Sequence, residues 1–564
     1  LVVALETKDA LDYAQSKELL TALRAMLKTN GFDDYHLLGR TFFYEALVNM
    51  QKQELIRTTI FATLLVLIIL FLVYRRAAVV AIALSSIILA LVLFLGVLSL
   101  LGKELNTLSS FYPILLLIVG TSDVIHIMDD YLAKLRSGFE RQQAMVHTLK
   151  EVGISTLLTS VTTAIGFASL LTSKSSVVSG FGINSALGVI IAFITVVGFA
   201  CSLLLLIDTK HLLPKTAIST KWALGLSQIN LFTQNFPNRI LLISLVFTVI
   251  CLWGLSKVNT NYQIKESLPK GSAIANDFEF FQDNYGGFRP LEVAVTAQGT
   301  YKVTDFEVAK EIEKAAQQLK QLAPIRNVQS VNNLYKGLHK ANNLNQSEYF
   351  VLPQQIETFD KYKREVKKIA RRPFEKFVNT KETKSRITAK VLDVGLDTLN
   401  SVYQKFNSFV TTQVDSNLVK FRLTGTGILL DKNAYYVKDS LIQGLLLGLL
   451  LVAFIMALLF KNLKLLLISL LPNLLPLLFA AALLGFLEIP LEATISVVFA
   501  VVFGIAVDDT IHFLGRYKIG LSKGLSKEES LQVTFAETGR ALIITTLILF
   551  FGFLVLLFSV HTPS

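Results

Sequence analysis

The sequence predicts a polytopic α-helical membrane protein made of two parallel repeats, with an α+β, ferredoxin-like domain outside the membrane. Three observations predict it. Apolar residues gather in ten runs of bilayer-spanning length, motifs recur at a constant offset of 386 residues, and basic residues crowd into alternate short loops.

The runs come first. Of the 564 residues, 52% are apolar and 17% charged, against about 25% charged in ordinary soluble proteins. The apolar stretches are 57–74, 77–101, 110–130, 154–171, 181–207, 239–255, 439–460, 463–485, 496–514 and 538–560. Most are roughly 18 to 25 residues long, the length a helix needs to cross about 30 Å of hydrocarbon.

Charge then orients the spans. The formal net charge is +12, yet its placement argues against a nucleic-acid partner. Arg75, Arg76, Lys134, Arg136, Arg141, Lys150, Lys210, Lys215 and Lys221 fall on one side of the threaded spans. Lys461, Lys464, Arg516, Lys518, Lys523 and Lys527 fall on the same side, whereas the opposite short loops hold only Lys103 and Lys174. The positive-inside rule turns the basic loops toward the cytoplasm and the polar stretch 257–438 outward. Cys201 and Cys251 both lie in apolar spans, so no disulfide framework is expected.

The repeat explains the order of parts. Gly39 maps to Gly425, and Tyr74-Arg75 to Phe460-Lys461. Asp123, His126 and Tyr131 map to Asp509, His512 and Tyr517; Glu151, Gly153, Thr159, Gly166 and Phe167 map to Glu537, Gly539, Thr545, Gly552 and Phe553. Repeats of one direction are related by an axis along the membrane normal. The expected plan has twelve helices, ten of them present, with the first helix, most of the first outer domain and the last helix beyond this chain. The expected parts are the end of the first outer domain (1–48), a first bundle (49–207), a cytoplasmic connector (208–238), the first helix of the second half (239–257), a second outer domain (258–437) and a second bundle (438–564).

Within the outer domain, strands are expected at 291–297, 325–331, 387–394 and 418–424, and helices at 304–322, 355–370 and 396–414. That order suits a split βαβ unit. Residues 1–39 match its last strand–helix–strand, and 222–236 reads as a surface connector helix or a packed linker.

The chemistry lies in two spans. Asp123 stands 13 residues past Ser110 and Asp509 stands 13 past Ser496, about 20 Å deep at 1.5 Å per residue. An ionised carboxylate there costs at least about 2.5 kcal/mol and marks a relay or ion path. His126 and His512 follow three residues on, sharing the helical face of the aspartate. Asp508 adds a third carboxylate. If the two helices face each other across the axis, desolvation and mutual repulsion favour a shared proton. A structural hydrogen-bonding role, a metal held by the Asp/His pairs and Na⁺ coupling are the alternatives. Thr159, Thr163, Thr545 and Thr546 extend a hydroxyl relay, with Thr545 the best placed, or else pack helices with Gly153, Gly166, Gly539 and Gly552. Asp129 and Asp130 read as interfacial, and Pro472, Asn473 and Pro476 as a kink or local opening.

With the paired helices in view, Gly504-Ile505-Ala506-Val507-Asp508-Asp509, continuing to His512, resembles the GxxxDD signature of RND-superfamily transporters. Gly120-Thr121-Ser122-Asp123, continuing to His126, is similar to its first-half version in bacterial MMPL-type, Patched-like exporters. The segment from Asn276-Asp277-Phe278-Glu279-Phe280 to Asn284-Tyr285-Gly286-Gly287 is similar to the opening of the outer domain in that branch. The resemblance implies a non-enzymatic, proton-driven exporter of hydrophobic or lipidic substrates in a bacterial inner membrane, with periplasmic domains and no cofactor beyond the proton gradient. Membrane lipids, a second or third copy of the chain, or a periplasmic partner are the associates it implies. Asp123, Asp508 and Asp509 would carry protons, tuned by His126 and His512 and continued by Thr545. Two departures matter. Ser122 stands where the second half has Asp508, and neither helix carries an intramembrane Lys as multidrug pumps do. Both favour the lipid-export branch. A sterol- or lipid-sensing role and a proton-driven aid to protein secretion are the rival readings.

Overall fold

A computed structural model describes residues 11–103, 107–213, 220–259, 261, 263–268, 271–287, 289–491 and 493–555, together with 3, 5 and 7. The chain divides into two compact units, Glu45–Asn259 with Tyr436–Thr562 and Leu1–Tyr44 with Thr260–Tyr435. The far end of the tenth apolar run and residues 214–219 of the connector lie outside the described residues.

Helix α1 (Tyr13–Thr29) precedes the first membrane helices α2 (Arg40–Tyr74), α3 (Ala77–Leu100) and α4 (Phe111–Arg136). Next, α5 (Arg141–Thr148) passes through a π-helical turn, Leu149–Gly153, into α6 (Ile154–Ala168). Likewise α7 (Ser176–Thr195) passes through the π turn Val196–Ala200 into α8 (Cys201–Leu206). Short α9 (Thr209–Leu212) and the connector α10 (Thr220–Asn235) lead to α11 (Pro237–Leu255). After the α+β unit come α18 (Thr426–Phe460), α19 (Leu463–Phe486), α20 (Ala493–Ser522) and α21 (Lys527–Leu554). Among the described residues ten helical segments are long and apolar enough to cross a membrane.

The backbone repeats at the sequence offset. Adding 386 to the ends of α2 and α3 gives the ends of α18 and α19, and the last residue of α4 lands on the last of α20. Even the tight turns agree, since Arg75 (φ 52) and its counterpart Lys461 (φ 50) both adopt the left-handed conformation. Two features are not shared. The 3₁₀ turn Thr107–Ser110 leading into α4 corresponds to α-helix at the start of α20. The π turn between α5 and α6 has no equivalent in α21, which runs unbroken.

Several helices outrun their apolar cores. α2 begins at Arg40 rather than 57, α18 at Thr426 rather than 439, and α21 at Lys527 rather than 538. Hydropathy marks only the dehydrated window, while the hydrogen-bond ladder continues for as long as nothing breaks it. α21 shows where it stops: Ser526 accepts from the Glu529 N–H, and the Glu529 carboxylate accepts from the Ser526 N–H. Within the helical unit α4 is the central element, 94% buried over its apolar window, whereas α11 is 11% buried and peripheral.

In the other unit, α12 (Ala273–Asn284) precedes β1 (Arg289–Ala297), α13 (Phe306–Gln321) and β2 (Ile325–Gln329). Three helices follow: α14 (Asn332–Asn342), α15 (Ile356–Ile369) and α16 (Arg371–Phe377). The unit ends with β3 (Lys384–Val391), α17 (Leu396–Gln413) and β4 (Val419–Thr424). The sheet order is β2-β3-β1-β4, with each neighbouring pair antiparallel. Leu291, Val293 and Val295 alternate inward from β1 and pack on Ile312, Ile387 and Phe406. Buried Arg289 pairs with Asp431 and lies 3.7 Å from Asp393, and Tyr403 donates to Asp431 at 2.8 Å.

One expectation fails. Residues 32–39 form no strand; α1 is the only regular element among the described residues before Arg40. The reason is a competing acceptor. The Leu37 N–H donates to Asp277 Oδ2 at 3.2 Å, and His36 Nδ1 lies 2.7 Å from Asp277 Oδ1 while its ring stacks on Phe280. A backbone donor captured by a side chain is lost to a ladder.

Candidate functional site

Two α4 side chains meet their own counterparts on α20. Ser122 Oγ donates to Asp508 Oδ2 at 2.8 Å, 386 positions away. The rings of His126 and His512 stack with centroids 3.8 Å apart and planes at 9°. A residue can touch its own repeat counterpart only near the pseudo-twofold axis, so the axis runs between α4 and α20 at these two levels. Their separation of four residues is one helical turn on one face.

The remaining carboxylates flank that axis. Asp123 is buried and accepts from Ser160 Oγ on α6 at 3.2 Å. Asp509 accepts from Thr545 Oγ1 on α21 at 3.5 Å. Asp508 stands within electrostatic reach of both. Each aspartate thus leans on the helix that follows it in its own half, while Ser122, Asp508 and the histidines join the halves. His512 Nε2 lies 3.4 Å from Asp508 Oδ1. Neither atom makes a hydrogen bond, nor does His126 Nε2. Three polar atoms therefore gather at one buried spot with bonding capacity to spare, where a mobile proton can be taken up or passed. Among the described residues no group of three His, Cys, Asp or Glu side chains is placed to hold a metal ion.

The glycines named from sequence play unequal parts. A Cβ on Gly166 of α6 would lie 2.9 Å from the Gly504 Cα of α20, so these helices cross nearly backbone to backbone. Thr163 seals the crossing by donating to the Gly504 carbonyl at 2.8 Å. Gly120 meets only ordinary contacts with Ile87 and Ala192, Gly153 lies in the π turn against Leu149, and Gly539 packs on Leu226 of α10.

A second polar cluster lies at the basic-loop end of the bundle. Glu151, in the π turn, accepts from Lys134 (3.2 Å) and reaches across to Arg516 (2.9 Å) and Lys523 (3.4 Å) of the second half. Arg516 also pairs with Glu537, so both repeat counterparts, Glu151 and Glu537, grip one guanidinium. Asp130 pairs with Lys134 and accepts from Thr148, and Asp129 lies 3.8 Å from Arg540. Reading Asp129 as interfacial misses its cross-half approach to Arg540, while Asp130 pairs within its own half. The available signal for the cluster was the opposite charge at one repeat position, Asp130 against Arg516. Ser160 carries no comparable signal, since small hydroxyls in apolar helices usually bond their own backbone.

Comparison with known proteins fits this architecture. The chain is similar to the membrane protein MJ1562 of Methanocaldococcus jannaschii, 25% identical over 165 residues, which are 29% of this chain and 42% of that protein. Its fold is similar to SecDF, a translocon-associated membrane protein from Thermus thermophilus, with a TM-score of 0.56 at 14% identity. SecDF in its super-membrane-facing form gives 0.52 at 15%. Each likeness covers 92% of this chain and 59% of the SecDF chain. The MMPL family model matches residues 2–227 and 279–562. That match spans most of a chain with ten membrane-type helices, and the chain belongs to the MMPL family, a multi-pass membrane family, as its paired helix motifs imply.

Proposed function

We propose that this protein is a secondary active transporter in which protons pass through Asp123, Asp508 and Asp509 and drive export of hydrophobic or lipidic substrates. The observation that carries the reading is the meeting of two repeat-related carboxylate turns on the axis between α4 and α20. Charge buried in a bundle of membrane-spanning helices costs about 2.5 kcal/mol or more and is retained where it works. A proton falling through 100 mV releases about 2.3 kcal/mol. That suffices to bias two packings of the halves against each other at the one place where both halves contribute ligands to the same proton.

The basic loops favour an inner membrane with the α+β unit on its periplasmic side. The strand order β2-β3-β1-β4 with helices after β1 and β3 supports a ferredoxin-like porter domain that handles cargo. A second reading, a proton-driven aid to protein secretion, draws on the fold shared with the translocon-associated SecDF.

Proton flux into liposomes holding the protein and a host lipid extract tests the reading. Asp123→Asn and Asp509→Asn should each lower flux at least tenfold. Unchanged flux in both variants would overturn it, and lipid binding without flux in the wild type would favour a sensor. Flux stimulated by an unfolded polypeptide rather than by lipid would favour the secretion reading.

A further inference from the structure

Three positions that are apolar and buried in the first half carry polar side chains in the second. In the first half, Ala83, Ile87 and Val124 are fully buried in the apolar core. At the same offset the second half has Ser469, Asn473 and Thr510. These three are linked in a row. Thr510 Oγ1 donates to Asn473 Oδ1 at 2.9 Å, and Asn473 Nδ2 donates to the Ser469 carbonyl at 2.7 Å. Ser469 Oγ in turn donates to the Leu466 carbonyl at 2.7 Å.

The row has a start and a direction. Thr510 follows Asp509 in α20. Asn473, Ser469 and Leu466 step down α19 toward Leu463, the end that adjoins the basic turn at Lys461. The same stretch of α19 contains Pro472 and Pro476, which lack the N–H groups that would otherwise engage the carbonyls of Ile468 and Pro472. Their first-half counterparts, Ser86 and Ala90, leave α3 with no proline. Asp123 is 2% exposed, whereas Asp508 and Asp509 both retain partial exposure. Buried polar groups cost free energy in an apolar bundle unless they are bonded or used. At these three positions the polar groups stand in the second half, Ser469 and Asn473 buried and Thr510 partly exposed.

We propose that Ser469, Asn473 and Thr510 form a one-sided polar path along which water reaches Asp509 from the basic-loop end of the bundle. Resting on the proton-driven reading, the inference assigns the exchange between the relay and that solvent to the second half. The protonated Asp509 carboxyl breaks its O–H bond as a water molecule beside Thr510 takes the proton and becomes hydronium. Reprotonation is the reverse. Asn473 and Thr510 are positioning residues that hold this water, and neither carries the proton. The matching positions of the first half, Val124, Ile87 and Ala83, are apolar and hold no such path.

The test compares repeat counterparts. With Cys201 and Cys251 replaced by Ser, Asn473→Cys in membrane vesicles should react with a charged thiosulfonate from the basic-loop side. The rate should exceed that of Ile87→Cys at least tenfold. Equal rates would overturn the proposal. In the liposome assay the near-isosteric Thr510→Val and the first-half copy Asn473→Ile should each lower proton flux about three- to tenfold, with a larger solvent isotope effect. Asn473→Ser should recover most of the rate. Wild-type flux in Thr510→Val and Asn473→Ile beside a dead Asp509→Asn would overturn the path and leave the relay standing. Wild-type flux in Asp509→Asn would overturn the relay itself.

Discussion

The first-half pair α2–α3 and the second-half pair α18–α19 have the same helix lengths, a left-handed residue at the same turn position and the same offset at both ends. The side chains of α4 and α20, by contrast, part company where the halves touch. The first half offers Ser122, Asp130 and Ile118; the second offers Asp508, Arg516 and Gly504 at the same positions. A duplicated backbone guarantees equivalent frames, not equivalent roles. Interfaces on a pseudo-twofold axis bring counterparts together, and like charges there would repel at close range. At the carboxylate that meets its counterpart, Asp508 faces the hydroxyl of Ser122 rather than a second acid, and two turns on Arg516 opposes the charge of its counterpart Asp130.

The largest effect should come from undoing that charge change. Arg516 is 15% exposed and holds both Glu151 and Glu537. Arg516→Asp gives the second half the residue of the first and leaves two glutamates facing a third acid. Thermal unfolding of purified protein should show a loss of roughly 2–4 kcal/mol, near the lower end for breaking a buried pair because Lys134 and Lys523 still reach Glu151. The counterpart Asp130→Asn should cost about 1 kcal/mol, since it removes the charge that pairs with Lys134 while the amide oxygen can still accept from Thr148. Equal losses would mean that Arg516 is not the junction of the halves.

A smaller difference should separate two glycines at one repeat position. A Cβ on Gly166 would press on the Gly504 backbone at 2.9 Å, and a Cβ on Gly552 would press on Ile118 Cδ1, also at 2.9 Å. The distances match but the obstacles do not. A backbone atom yields only if a helix moves, whereas an isoleucine tip can turn aside. Gly166→Ala should cost about 1–3 kcal/mol as overpacking does, and Gly552→Ala less than about 1 kcal/mol. Equal costs would show that α4 and α21 pack as tightly as α6 and α20.

Much of this comparison is legible before any coordinates. The offset identifies Ser122 as the counterpart of Asp508, and hydropathy locates all ten spans. Contacts are another matter. Equivalence under a repeat does not say which residues lie on the axis, because that depends on the rotation of each helix. The stacking of His126 on His512 is therefore invisible in a string of letters. The π turn at Leu149–Gly153 leaves no periodicity signal in so short a stretch, yet it carries Glu151 to Arg516. Asn473 reads as part of a proline kink because the proline signal is local, while its partner Thr510 is 37 residues away on another helix. Residues 36–37 read as strand because composition cannot reveal that Asp277 will take their donor.

The smallest expected effect lies at the start of the helix after each carboxylate helix. Ser526 and Glu529 form a reciprocal cap on α21, and Glu140, at the matching position before α5, makes no side-chain cap bond. The position three residues on is Gln143, which can complete the same box. Ser526→Ala should therefore lower stability by about 1 kcal/mol, and Glu140→Ala should change it by a few tenths at most. Glu140→Ser should raise it by about 0.5 kcal/mol by giving α5 the cap its counterpart has. Both caps lie at the basic-loop end, away from the axial carboxylates, so proton flux should stay at the wild-type rate in all three variants. A fall in flux with Glu140→Ser would mean that the uncapped, π-turned entry to α6 must stay loose for the halves to move. The first half would then be the flexible partner and the second the fixed one.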